Sequence, residues 1–269
     1  MTGDFVTAGG SRLEVKRIKG NAALPALIFL HEGLGSVALW RDFPDRLAAA
    51  TGAPALVYSR YGYGKSDRLQ GDRAVDYMHV EALTVLPELR RQLHLDDVVL
   101  VGHSDGASIA LIHAARWPVR GLILEAPHVI VEDVTVAGIA EAKRAYETTD
   151  LGKRLARYHD DPAGAFRGWN KIWLDPAFRA WNIEDDARGV GCPVLAIQGE
   201  DDEYGTLAQL DALGRNLAGP FERVVLPACK HSPHRDQEAA TLAAMTAWWN
   251  TAIDEADKFD RSHRRPPPP

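Results

Sequence analysis

The chain has 269 residues, a length that suits one large α/β domain carrying an insertion. Apolar residues make up 46% and charged residues 25%, close to the average for folded globular proteins, which excludes disordered or fibrous architectures over most of the length. With 31 Lys+Arg against 37 Asp+Glu the net charge is −6 and no long basic block occurs, so nucleic acid and anionic membrane surfaces are poor candidate partners.

In chain order, residues 13–18 read as an edge strand that opens a sheet. The apolar runs ALIFL (26–30), ALVYS (55–59), VVLVG (98–102) and LILEA (122–126) are each too short for a helix and read as buried strands. Helix-length segments at 38–50, 76–94 and 107–116 separate them, and that alternation is the pattern of a parallel sheet covered on both faces. From 133 to 181 the alternation gives way to helical composition with Trp169, Trp173 and Trp181, punctuated by Asp161-Pro162 and Asp175-Pro176. This stretch is expected to be a helical cap inserted into a core formed by 1–132 and 182–256. Strands PVLAIQG (193–199) and FERVVLP (221–227) follow, with helices at 206–217 and 233–256. The ending RSHRRPPPP cannot pack a core, so 257–269 is expected to be a disordered tail.

The longest apolar run, 24–30, falls far short of the roughly 20 residues that span a bilayer, and the N-terminus lacks the apolar core of a secretory signal, so a cytoplasmic location is expected. Cys192 and Cys229 form no CxxC pair and are expected to be free thiols. Nothing in the pattern calls for a cofactor. His231-x-x-His234 has no third ligand at a recognisable spacing, so no metal is expected.

The chemistry starts where VVLVG ends, at Gly102-His103-Ser104-Asp105-Gly106, with helical sequence after it. This is G-x-S-x-G between a strand and a helix, the setting in which the serine sits on a sharp turn above the sheet edge. A serine hydroxyl needs a base and an orienting acid, and two later strand ends offer them. After PVLAIQG come Asp201 and Asp202; after FERVVLP come His231 and His234. The backbone N–H of Asp105, at the start of the helix, can serve as one donor to a developing oxyanion.

With these motifs together, the chain resembles the α/β-hydrolase superfamily over about residues 11–255. The resemblance implies Ser104 as nucleophile, Asp202 as the acid at the G-x-x-D position with Asp201 as runner-up, and His231 as the base, although Lys230 stands where glycine is usual. His31-Glu32-Gly33-Leu34-Gly35-Ser36 resembles the family's H-G-x-x-G-S loop, with Glu32 in place of glycine. It implies the second oxyanion donor at Gly33, or at Leu34, and a structural role for His31. The loop from Ser59 to Asp67 resembles D-x-x-G-x-G-x-S with Arg60 in place of aspartate, and is expected to be scaffold. Trp169 and Trp173, four apart on one helix face, are expected either to pack the cap or to line an acyl pocket. The implied function is a serine hydrolase of a small ester, thioester or lactone, working through an acyl-enzyme. The alternatives on the same fold are a C–C bond hydrolase of aromatic-catabolism products and a non-catalytic small-molecule receptor.

Overall fold

The computed structural model describes residues 4–254; the expected tail at 257–269 lies outside them. The elements in chain order are β1 (Asp4–Ala8), β2 (Ser11–Ile18), β3 (Ala26–Leu30), α1 (Phe43–Thr51), β4 (Ala55–Tyr58), α2 (Tyr77–Val80), a π turn (Glu81–Val85), α3 (Leu86–Gln92), β5 (Val98–His103), α4 (Asp105–Ala114) and β6 (Gly121–Glu125). Then come α5 (Asp133–Thr148), α6 (Leu151–Leu155), α7 (Pro162–Trp173), a 3₁₀ turn (Pro176–Ala180), α8 (Glu184–Ala187), β7 (Val194–Gly199), α9 (Ala208–Asn216), β8 (Phe221–Leu226), α10 (Pro233–Asp236), α11 (Glu238–Trp249) and a second π turn (Asn250–Asp254).

Among the described residues the strands form one sheet in the order β1-β2-β4-β3-β5-β6-β7-β8. From β4 to β8 every neighbouring pair is parallel, while β1 and β2 run antiparallel. Every residue of β3, β4, β5, β6 and β7 is buried, as a sheet with helices on both faces requires. Side chains alternate between the faces. Ile28, Leu30, Leu100, Leu122 and Leu124 join the core under α2, α3, α4 and the inserted helices. Leu27, Phe29, Val99, Val101 and Ile123 join the opposite core under α1 and α11, with Trp248 and Trp249.

Several elements differ from the sequence reading: the helix expected over 38–50 starts only at Phe43, and the one expected over 233–256 is broken at Gln237 (φ −135°, ψ 51°) into α10 and α11 and passes into a π turn. Residues 13–18 belong to β2, but β2 is not the edge, because β1 pairs outside it through Gly9 and Gly10, both at positive φ (59° and 73°). Two consecutive left-handed residues match a two-residue hairpin turn, which favours Gly-Gly. The helix expected over 76–94 contains a π turn. Pro87 has no N–H and its ring crowds the carbonyl four residues back; just before it, the Leu86 N–H reaches Glu81 C=O five residues back. No helix among the described residues is long and apolar enough to cross a membrane.

The stretch from α5 to the 3₁₀ turn leaves the sheet after β6 and returns before β7. An isolated antiparallel bridge, Ile130 to Asn182, ties the two necks together, and Ile183 N–H donates to Val129 C=O at 2.9 Å. Asp161 starts α7 by accepting from Gly164 N–H, with Pro162 at the first turn. The carboxyl ends of β3, β5, β6, β7 and β8 lie along one edge, where open parallel sheets bind ligands.

Candidate active site

Ser104 sits between β5 and α4 at φ 53°, ψ −117°, a region that costs a non-glycine residue of order 1–3 kcal/mol and needs support from its surroundings. The support is steric closeness on either side. A Cβ on Gly102 would lie 2.4 Å from the Gly106 carbonyl oxygen, and one on Gly106 would lie 2.0 Å from the Leu30 carbonyl oxygen. Strand and helix approach so closely that only glycine fits at both positions. Asp105 is the first residue of α4, so its N–H has no carbonyl one turn back and points from the positive end of the helix dipole.

Asp202 and His231, from loops after β7 and β8, meet: His231 Nδ1 lies 2.8 Å from Asp202 Oδ1 and 3.0 Å from Oδ2. The Asp202 carboxylate, 1% exposed, also accepts from Tyr204 N–H at 2.8 Å and from Gln198 Nε2 at 3.2 Å. Burial opposes its charge, but the His231 ring and the Tyr204 N–H outweigh that and hold it below the usual carboxylate value. With Nδ1–H directed at Asp202, the Nε2 lone pair of His231 is left for other chemistry. Asp201, the runner-up acid, is exposed. His234, the other histidine, lies in α10, buried against Trp40 and Phe43, and pairs with Glu125 at 2.9 Å. His231 and Ser104 line one cavity of about 470 Å³; His234 does not.

The loop after β3 is held from beneath. His31 is fully buried, its Nε2 accepting from Arg60 N–H at 3.0 Å and its Nδ1–H donating to Glu32 C=O at 2.6 Å. Arg60, 1% exposed, donates from its guanidinium to the same Glu32 carbonyl at 2.9 Å and to His31 C=O at 3.3 Å. Among the described residues no peptide bond is cis, and in a trans peptide the C=O and N–H point opposite ways. Fixing Glu32 C=O on Arg60 and His31 therefore turns the N–H of Gly33 away from both. Gly33 and Leu34 line the cavity with Ser104. His159 braces the loop from above, donating Nε2–H to Leu34 C=O at 2.9 Å while its Nδ1 accepts from Gly64 N–H at 2.9 Å.

Trp169 and Trp173 also line the cavity, and both pack as well. A Cβ on Gly33 would lie 2.1 Å from the Trp169 indole, so the glycine admits the ring. Trp173 meets Phe178 and His128 edge to face and Trp181 at a tilt, and its Nε1–H donates to Asp105 Oδ1 at 3.1 Å. Sequence reasoning missed His128, three residues past the end of β6. It lines the cavity, 3% exposed, its ring centroid 5.6 Å from that of His231, and its Nδ1 is buried without a hydrogen-bond partner. Burial above all, then the His231 ring, pushes its pKa down to about 4, so His128 is neutral at pH 7.

A family model for the alpha/beta hydrolase family matches residues 27–244. The chain belongs to the alpha/beta hydrolase family. It is 29% identical over 134 residues to a proline iminopeptidase of Heyndrickxia coagulans, a match that covers 47% of this chain and 43% of that one. The chain thus spans less than half the length of the curated relatives it matches. Among solved structures, an esterase from Exiguobacterium antarcticum superposes with a TM-score of 0.75 at 19% identity, covering 93% of this chain and 100% of the other. The enol-lactonase from Burkholderia xenovorans LB400 gives 0.69 at 16%, covering 92% and 100%. The family match and these neighbours place the protein on the α/β-hydrolase fold.

Two of the departures from the family pattern face charges on the elbow itself. Glu32 lies 3.5 Å from His103 Nδ1, and Arg60 lies 3.4 Å from Asp105 Oδ2, which also accepts from Tyr77 OH at 2.8 Å. His103 and Asp105 are the two variable positions of G-x-S-x-G. Burial opposes a charge on His103, but Glu32 overcomes it and raises the pKa to about 9. Burial likewise opposes the Glu32 carboxylate, and His103 more than compensates, holding its pKa well below the usual range. His103 Nε2–H then donates to the backbone C=O of His231 at 2.7 Å. The third departure, Lys230, is exposed, keeps a negative φ and donates its N–H to Asp236 at 3.1 Å, so that position asks for no glycine.

Proposed function

We propose that the protein is a serine hydrolase that cleaves a small ester, thioester or lactone through an acyl-enzyme. Ser104 is the nucleophile, His231 the base, Asp202 the orienting acid, and the N–H groups of Gly33 and Asp105 receive the oxyanion. The observation that carries this reading is the His231–Asp202 pair, which leaves Nε2 free on a ring that shares its cavity with a strained serine.

In the first half-reaction His231 Nε2 takes the proton as Ser104 Oγ bonds to the carbonyl carbon. The carbonyl oxygen becomes an anion, met by donors that need no reorganisation when the charge forms. Asp202 holds the imidazole tautomer and balances the imidazolium. His231 then gives the proton to the leaving oxygen or sulfur as the tetrahedral species collapses to the acyl-enzyme. Water repeats the sequence: its proton goes to His231, its oxygen bonds to the acyl carbon, and Ser104 leaves with the proton back. Arg60 and His31 act as positioning residues by aiming the Gly33 N–H into the cavity that Gly33 lines. Residues 133–181 act as a cap whose Trp169 and Trp173 bury apolar acyl surface at about 25 cal/mol per Å².

The test is turnover of a panel of p-nitrophenyl esters, acyl thioesters and lactones by the wild type and by Ser104→Ala. At least one class should be hydrolysed, with kcat lowered by more than about 10³-fold in the variant. A variant that keeps a tenth of wild-type activity would overturn the nucleophile. A folded wild type that turns over no member of the panel and resists serine-directed phosphonates would favour a receptor on this fold.

A further inference from the structure

The outer part of the cavity is cationic on a molecule whose net charge is −6. Arg41, Arg154, Arg157 and Arg235 line it, against the carboxylates of Glu32 and Glu203. Glu32 is paired with His103 at 3.5 Å, whereas Glu203 accepts only a backbone N–H, from His231 at 3.3 Å, and so is the one lining carboxylate without a cationic partner among the described residues. Arg154 is paired with Asp150 at 2.8 Å. Arg41, Arg157 and Arg235 have no acidic partner among the described residues. They come from three separate segments, the loop after β3, the turn after α6 and α10, and all three are exposed where Ser104 is 6% exposed at the inner wall. Arg41 also holds a left-handed backbone, φ 55°, a conformation uncommon for a long side chain.

Surface arginines in an acidic protein ordinarily find carboxylates; three that converge unpaired on one mouth leave a local positive field. Guanidinium forks match the geometry of carboxylate and phosphate oxygens. The inner wall, with Ile139, Leu155, Trp169 and Trp173, suits an apolar group. We propose that the substrate is an amphiphilic anion: an apolar acyl portion lies inside, and a carboxylate or phosphate borne by the same molecule sits at the mouth on Arg41, Arg157 and Arg235. The inference rests on the serine-hydrolase reading and narrows its substrate class.

The experiment compares two matched pairs. p-Nitrophenyl hexanoate against p-nitrophenyl hydrogen adipate places a carboxylate on the acyl side. The N-acetylcysteamine thioester of hexanoate against hexanoyl-coenzyme A places phosphates on the leaving group. In at least one pair kcat/KM of the anionic member should exceed the neutral one by about tenfold or more at low salt, and the ratio should shrink as ionic strength rises toward about 0.5 M. Within each enzyme the ratio is internally referenced. It should approach one in Arg157→Gln/Arg235→Gln and fall below one in Arg157→Glu/Arg235→Glu. The pair that responds identifies whether the anion sits on the acyl or the leaving group. Ratios near one in both pairs, or a preference that ignores the arginine changes, would overturn the inference while leaving the hydrolase intact. Failure of the hydrolase reading would look different: no pair turned over at all, and no label on Ser104.

Discussion

Replacing Arg60 separates positioning from packing. Its guanidinium makes hydrogen bonds to Glu32 C=O (2.9 Å) and His31 C=O (3.3 Å), an ion pair with Asp105 (3.4 Å) and a cation–π contact with Tyr63 (4.9 Å). Arg60→Met would leave Asp105 buried without its cation, a loss of about 3–5 kcal/mol, softened because Tyr77 and Trp173 still donate to that carboxylate. Arg60→Lys keeps the charge but replaces the planar fork with a single ammonium, so it tests the aim of the loop with less damage to the fold. Removing an oxyanion donor outright costs about 10²–10³ in kcat. The His31 Nδ1–H bond to Glu32 C=O survives, so Arg60→Lys should lower kcat by about 10–100-fold. KM should change little, because the Gly33 donor acts on charge that forms only in the transition state. A boronic-acid or trifluoromethyl-ketone inhibitor should weaken in parallel with kcat, and a ground-state product should bind as before. If Arg60→Lys kept full kcat while its melting temperature fell, Arg60 would be structural only and the loop argument would be wrong.

Further outcomes follow from the same contacts. His231→Ala should fold and lose activity by more than about 10³-fold, whereas His234→Ala should lower the melting temperature by stranding the buried Glu125 carboxylate; an inactive but fully stable His234→Ala would reverse the assignment. Asp202→Asn should lower kcat by up to about 10⁴-fold through the wrong imidazole tautomer, and a comparable drop in Asp201→Asn alone would transfer that role. Gly106→Ala should fail to fold, since its Cβ would lie 2.0 Å from the Leu30 carbonyl oxygen; a soluble, cooperative Gly106→Ala would refute the close-approach argument. His128 and His113, each with a pKa pushed down to about 4 chiefly by burial, bind fewer protons folded than unfolded, so stability should fall as pH drops from 6.5 toward 4. His103, raised to about 9 against its burial by Glu32, has the opposite sign, contributing fully below pH 6.5 and losing that contribution as pH rises through 9; urea midpoints across pH 4–10 check both limbs. His128→Ala should flatten the acid limb.

What the sequence made legible is what local sterics and strand ends determine. Gly102 and Gly106 flank Ser104 because the strand–helix approach leaves no room for a Cβ, and that requirement is written in five consecutive residues. Asp202 and His231 lie far apart in the chain, yet each sits in the loop that follows a parallel strand on the edge that carries Ser104, so topology brings them near. Contacts that depend on tertiary distances left no such mark. His159 and His128 stand in no motif, and their partners Leu34 and Gly64, or the cavity wall, are set by how 133–181 folds back over the core. Glu32 and Arg60 read as departures from a pattern; only the packed structure shows that each faces a charged residue of the elbow. β1 was missed for a different reason: five residues, DFVTA, carry little periodicity, and the informative signal was the Gly9-Gly10 turn after them.

The measurement that bears most directly on the central claim is covalent trapping of the nucleophile. A fluorophosphonate incubated with the folded protein should add one phosphonyl group by intact mass, and peptide mapping should place it on Ser104. His231→Ala should slow the labelling by orders of magnitude, because the serine then lacks its base. A label on any other residue, labelling that ignores His231, or a folded protein that never labels would contradict the account.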